Sequence, residues 1–146
     1  MGTAVMITSG KGGTGKTSLT AGVASCLAAL GRRVLCVDLD IGLRNLDLTL
    51  GMSDRALMDF TDVMDYRCPL LTAAVEQPEI RNLFLLTAPH SSPGLDQKRF
   101  QAVIEEASEY FDFVFMDSPA GLGEGFQLAM SAADRVIVVS SVDPAA

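Results

Sequence analysis

The order of hydrophobic segments predicts an α/β protein built on a mostly parallel sheet. Two observations carry this: apolar runs of strand length alternate with longer amphipathic segments, and the runs are near-continuous in Val, Leu, Ile and Phe. Strands buried on both faces need such composition, and the alternation is that of βαβ units. Five strands are predicted, at Ala4 to Thr8, Arg33 to Asp38, Leu83 to Thr87, Phe113 to Asp117 and Val136 to Ser140. The first helix, about Lys16 to Leu30, places Leu19, Val23, Cys26, Leu27 and Leu30 on one stripe and stops at Gly31, a usual site for a left-handed cap. A second helix is expected over Asp54 to Asp65. The third, Asp96 to Tyr110, turns Phe100, Val103, Ile104 and Ala107 inward, and a fourth lies near Gly125 to Ala133. The Pro, Ser and Gly residues of Pro89 to Gly94 read as a surface connection.

Composition narrows the function classes. The 146 residues are 49% hydrophobic and 20% charged, which suits one ordinary globular domain. A net charge of -7 disfavours a broad basic surface, so no nucleic acid partner is expected. The longest apolar stretches fall far short of the roughly 20 residues of a membrane-spanning helix, and no basic leader precedes Lys11, so a cytoplasmic protein is expected. Three cysteines, Cys26, Cys36 and Cys68, are odd in number and widely spaced, which suits reduced thiols; Cys26 and Cys36 are read as core residues. The chain stops at Asp143-Pro144-Ala145-Ala146, directly after the fifth strand, and is read as a fragment.

The chemistry concentrates at strand ends. Gly10-Lys11-Gly12-Gly13-Thr14-Gly15-Lys16-Thr17 fits G-x-x-x-x-G-K-[ST] between an apolar strand and an amphipathic helix, the context this phosphate-binding loop requires. Its glycines let backbone N–H groups turn toward phosphates, the helix start adds a positive dipole end, Lys16 reaches the β- and γ-phosphates, and the Thr17 hydroxyl suits Mg²⁺. With Ser18, the run Gly10, Lys11, Gly12, Gly13, Thr14, Gly15, Lys16 and Thr17 forms the expected nucleotide-binding set. Lys11 is an additional lysine that such a loop does not need: either it stabilises charge developing on the γ-phosphate or it is a solvated loop residue. Asp38 and Asp40 leave the second strand at the edge where open parallel sheets bind ligands, and serve either a metal and a water or the capping of the next loop. Asp117 closes the run Phe113 to Asp117 before a Pro/Gly loop, a Walker B pattern whose carboxylate holds Mg²⁺ through its water shell. His90, with no acid or cysteine cluster beside it in sequence, is read as solvated or locally bonded.

With these motifs in place, the chain resembles the deviant Walker A ATPases, whose mark is K-G-G-x-G-K-[ST]. Within them it is most similar to the MinD branch, on Ser9 to Gly13, on Asp38-Leu39-Asp40-Ile41-Gly42-Leu43-Arg44-Asn45-Leu46-Asp47-Leu48, and on Asp117-Ser118-Pro119-Ala120-Gly121. Plasmid-partition relatives usually carry proline and glutamine after the second acid, and flagellar-number regulators an alanine between the acids. Nitrogenase-type iron proteins need cluster-holding cysteines that are absent from the corresponding places. Thr14 and Ser18, where many relatives have valine and threonine, are small departures. The resemblance implies a three-layer α/β/α P-loop NTPase, cut after its fifth strand, with residues 1–146 the N-terminal portion of a single ATPase domain. It implies ATP and Mg²⁺ as cofactors, Lys11, Asp40 and Asn45 as catalytic, and Thr17, Asp38 and Asp117 around the metal. It also implies an ATP-dependent homodimer and a division inhibitor and a topological regulator as partners. Membrane attachment would come only through a C-terminal helix outside these residues, at the inner face of the cell membrane. A flagellar- or plasmid-positioning ATPase, or an inactive interaction fragment, are the alternatives.

Overall fold

The computed structural model describes residues 1–10, 15–53, 55, 58–91, 94–119 and 121–140. Among them the strands are β1 (Thr3–Ser9), β2 (Val34–Asp38), β3 (Val75–Glu76), β4 (Leu83–Leu86), β5 (Phe113–Asp117) and β6 (Arg135–Val139). They form one sheet in the order β3-β4-β2-β5-β1-β6. Every pairing is parallel except β3 with β4. The five expected strands are present with ends shifted by a residue or so. The sixth, β3, went unpredicted because two residues carry no period. β1 sits between β5 and β6, so the acidic ends of β5 and β2 and the end of β1 lie side by side, with Ile7 opposite Asp117 and Asp38 opposite Asp117.

Helices cover both faces, giving the three layers. On one face Phe100, Val103, Ile104 and Ala107 of α5 (Gln97–Tyr110) and Leu128 and Ala129 of α6 (Glu124–Ala132) pack with Met6, Leu35, Val37, Val114 and Met116 of the sheet. Asp96 caps α5 by accepting from the Lys98 and Arg99 amides at 2.9 and 3.3 Å. Phe60 and Phe100, both fully buried, meet edge to face with ring centroids 5.5 Å apart, and burying one such side chain contributes roughly 1.5–3 kcal/mol.

On the opposite face α1 (Lys16–Ala29) lies over Val5, Ile7, Val34, Cys36 and Phe115. It presents Thr20, Ala21, Ala24 and Ala28, with Val23 and Leu27 of the expected stripe partly buried against the same core; the stripe's other members are corrected, since Leu19 and Leu30 are 41% and 77% exposed and Cys26 lies on the surface. The reason lies at the helix start. Lys16 and Thr20 both face Asp117, and residues four apart share a helical face, so the row 16, 20, 24, 28 points at the sheet. Small side chains along that row allow a close approach.

Of the expected helix over Asp54 to Asp65, Asp54, Ala56 and Leu57 lie outside the described residues, and among the described ones α3 runs Phe60–Met64. Asp59 starts it with a capping box, accepting from the Thr61 and Asp62 amides while Asp62 accepts from the Asp59 amide. The Phe60 amide donates to the Thr87 carbonyl at 3.0 Å and Asp59 bridges to Thr87, which leaves Asp59 extended along the end of β4. α2 (Asn45–Thr49) and α4 (Leu70–Ala73) are single turns that no periodicity announces. β6 is a second correction. Val136, Ile137 and Val138 are 47%, 41% and 67% exposed, so this strand is not covered on both faces by the described residues.

Candidate active site

Three strand ends are tied together by short polar links. The Leu39 amide donates to the Asp117 carbonyl at 3.0 Å, joining β2 to β5. Ser118 donates through both its amide (3.1 Å) and its hydroxyl (2.9 Å) to the Ile7 carbonyl, joining β5 to β1. Gly125, in the first turn of α6, completes the packing: a Cβ there would stand 2.2 Å from the Leu39 carbonyl oxygen and 2.8 Å from Pro119, so only glycine fits.

Onto this edge α1 delivers its first turn. Gly15, with φ +80, is the N-cap and turns the chain into the helix in the left-handed region, and it has no side chain to accept from the first-turn N–H groups. Lys16 Nζ donates to Asp117 Oδ1 at 2.6 Å, and the Thr17 hydroxyl donates to Asp117 Oδ2 at 2.9 Å. Thr20, fully buried, donates its hydroxyl to the Lys16 carbonyl at 2.9 Å and approaches Asp117 Oδ1 at 3.4 Å. Thr20 was missed in sequence, although its place four residues after Lys16 is the signal that would have found it. Gly10 follows β1 and Ser18 is an exposed residue of the first turn. Lys11, Gly12, Gly13 and Thr14 lie outside the described residues.

The second acidic pair divides its labour. Asp38 is fully buried, and its carboxylate accepts from the Asp40 amide at 2.8 Å and from the Leu46 amide at 3.2 Å. The loop-capping alternative is therefore part of what Asp38 does. Burial pushes its carboxyl up to about 7, the two amide bonds pull the other way, and the charges of Asp117 and Asp40 add to the rise. Asp40 is less buried, and burial raises its carboxyl too, with Lys16 opposing and Asp117 reinforcing the shift. Asn45 Nδ2 reaches Asp40 Oδ2 at 3.4 Å. The Cys36 thiol, wholly buried in β2, is pushed up by burial and by Asp117 and takes no part as a nucleophile.

Lys16 thus contacts Asp117 and acts electrostatically on Asp40, while burial first, and the neighbouring carboxylates after it, raises the carboxyls of Asp38 and Asp40. Among the described residues no three acidic, histidine or cysteine side chains close round a metal ion, but the Thr17 hydroxyl and the Asp117 carboxylate stand together at the start of α1, hard oxygen donors that suit Mg²⁺ held partly by water and phosphate.

The chain matches the family described as an AAA domain over residues 2–146. It is 41% identical over 144 residues to the septum site-determining protein MinD of Bacillus subtilis, covering 97% of this chain and 54% of that relative. The MinC:MinD cell division protein complex of Aquifex aeolicus superposes with a TM-score of 0.83 at 40% identity, over 93% of this chain and 55% of the other. The septum site-determining protein MinD complexed with Mg-ADP from Pyrococcus horikoshii gives a TM-score of 0.82 at 32% identity, over 96% and 58%. The chain spans about half the length of the curated relatives it matches. Its phosphate-loop context, its sheet order and this match over nearly all of its residues agree: the chain belongs to the AAA domain family, and within it resembles the MinD proteins.

Proposed function

We propose that these residues are the nucleotide-binding portion of a single Mg²⁺-dependent ATPase domain, acting as a switch that positions the bacterial division site. The reading is carried by one observation: Lys16 and Thr17 of the helix start meet Asp117, beside Asp38 and Asp40, at the carboxyl edge of the sheet. Lys16 takes the β- and γ-phosphates of ATP, leaving Asp117 as it does so. Gly10 to Ser18 wrap the phosphate chain, and Thr17, Asp38 and Asp117 hold the metal directly or through water. Bound Mg²⁺ offsets phosphate charge and polarises the γ-phosphoryl oxygens. Asp40, made a better base by its raised carboxyl, accepts a proton from the attacking water, and Asn45 steadies its second oxygen. Lys11 reaches the nucleotide of a second copy, so ATP favours a homodimer.

The partner reading follows the relatives. A division inhibitor is the first partner proposed, in keeping with the solved MinC:MinD complex, and a topological regulator is the second. Among the described residues no helix is long and apolar enough to cross a membrane. Recruitment to the inner face of the cell membrane is assigned to a C-terminal helix outside these residues, and the net charge of -7 keeps nucleic acid out of the partner set. Calorimetric titration of ATP with Mg²⁺, paired with phosphate release, tests the reading. Saturable binding that Lys16→Ala weakens at least tenfold supports it, while equal affinity in that variant overturns the phosphate-loop assignment.

A further inference from the structure

We propose that His90, together with Thr87, is a positioning residue for the water-activating arm: it holds the Arg44 guanidinium and thereby sets the Asp40/Asn45 pair. The inference rests on the reading of Asp40 given above. The arm leaves β2 at Asp38 and enters α2 at Asn45, and three bonds pin it to the segment that follows β4. The Gly42 amide donates to the Pro89 carbonyl at 3.2 Å, Arg44 Nε donates to Thr87 Oγ1 at 3.1 Å, and Arg44 Nη1 lies 2.6 Å from His90 Nε2. Arginine has no acceptor, so His90 Nε2 is the accepting nitrogen and its proton sits on Nδ1.

The anchor is buried and tied into the sheet edge. Thr87 is 1% exposed, closes β4 and accepts the Phe60 amide at its carbonyl, and Pro89 is buried. Arg44 has φ 53 and ψ 53, a left-handed backbone that a residue with a side chain keeps only where its surroundings over-determine it. On the site side of that residue, the Arg44 amide donates to the Asp40 carbonyl at 3.0 Å, Asn45 reaches the Asp40 carboxylate, and the Leu46 amide donates to Asp38. Arg44 is therefore the link between an anchored loop and the groups that face the phosphate. Releasing its guanidinium frees the left-handed turn to relax, and the bonds to Asp40 and Asp38 go with it. His90 touches none of the reacting atoms and acts only through Arg44.

The test compares the wild-type chain with His90→Ala and His90→Gln, the latter carrying a carbonyl that can accept from Arg44. Amide hydrogen exchange is read at Gly42 and Leu46, with Leu85 of β4 and Met116 of β5 as references. His90→Ala is expected to speed exchange at Gly42 and Leu46 by about fivefold or more, to leave the reference amides unchanged, and to be reversed in large part by His90→Gln. In steady-state turnover His90→Ala is expected to lower kcat by about three- to tenfold with KM within about twofold, as a misplaced base would, and His90→Gln to restore it. Unchanged exchange at Gly42 and Leu46 in His90→Ala, or a Gln variant no better than Ala, overturns the inference. A wild-type chain that turns over no ATP overturns the ATPase reading instead, and the exchange comparison still decides the role of His90.

Discussion

Replacing Asp117 by asparagine separates the two lives of Lys16. Lys16 Nζ stands 2.6 Å from Asp117 Oδ1, with 11% and 3% of the two side chains exposed. A charge-assisted hydrogen bond this sheltered contributes roughly 1.5–3 kcal/mol. Asp117→Asn removes the charge and keeps the shape. The ammonium still feels Asp40, whose carboxyl responds to Lys16, so the loss stays near about 2 kcal/mol rather than the roughly 3–5 kcal/mol of a stranded buried charge. At about 2–4 °C per kcal/mol for a chain of this size, the melting temperature should fall by about 4–8 °C. Binding of ATP without Mg²⁺ should move the opposite way. The phosphates no longer have to draw Lys16 from a carboxylate and meet one negative charge fewer, so affinity should rise by about ten- to thirtyfold, at 1.4 kcal/mol per decade. With Mg²⁺ present the sign reverses again, because a carboxylate of the metal's shell is gone. Calorimetry in EDTA and in Mg²⁺, beside thermal melts, reads all three. Metal-free ATP binding no tighter in Asp117→Asn than in wild type would refute the argument that Asp117 withholds Lys16 from the phosphates.

Lys16→Ala should weaken Mg²⁺-ATP binding at least tenfold by calorimetry, since it removes the charge-assisted contact to the phosphates. Asp40→Ala should keep ATP binding within about threefold and slow single-turnover hydrolysis by about a hundredfold or more, read by quenched phosphate release. On the reading that Lys11 serves a second copy, Lys11→Ala should leave single-chain nucleotide affinity nearly intact and lower turnover together with ATP-dependent dimerisation, read by light scattering. Asp38 gives the pH prediction: with its carboxyl raised from 3.8 to about 7, the metal-free folded chain holds a proton that the unfolded chain has released between those values. Its contribution to stability is present at low pH and lost as pH rises toward 7, by on the order of 4 kcal/mol at most, and Asp38→Asn should flatten that part of the pH profile of denaturant melts.

What was legible in the sequence follows from how much chain each feature spans. The long buried strands and α5 carry several repeats of their hydrophobic pattern, and the phosphate loop and the acids at the ends of β2 and β5 are local motifs. The strands, α5 and the two acids were read at or near their true places, while Lys11 to Thr14 of the loop lie outside the described residues. α1 failed in a more informative way. A stripe of Leu19, Val23, Cys26, Leu27 and Leu30 outweighs Thr20, Ala21, Ala24 and Ala28 on a hydrophobicity count, yet the smaller row is the one fully buried, with only Val23 and Leu27 of the stripe packed beside it. The ion pair of Lys16 and the hydroxyl contact of Thr20 with Asp117 set the rotation of the helix, and the rest of its length inherits it. Polar contacts at the first turn therefore outrank the hydrophobicity count in choosing the buried face of this helix. The same logic applies at His90: it lies 46 residues from Arg44, so nothing local in sequence could pair them. Their meeting depends on the β2 and β4 strands running parallel and adjacent, which brings the segments after Asp38 and after Leu86 to one edge. Residues that bind phosphate sit in motifs because a loop must form around one small group. Residues such as His90 and Thr87, which hold the proposed water-activating arm, come from wherever the sheet order brings a neighbour, so they are found only once that order is known.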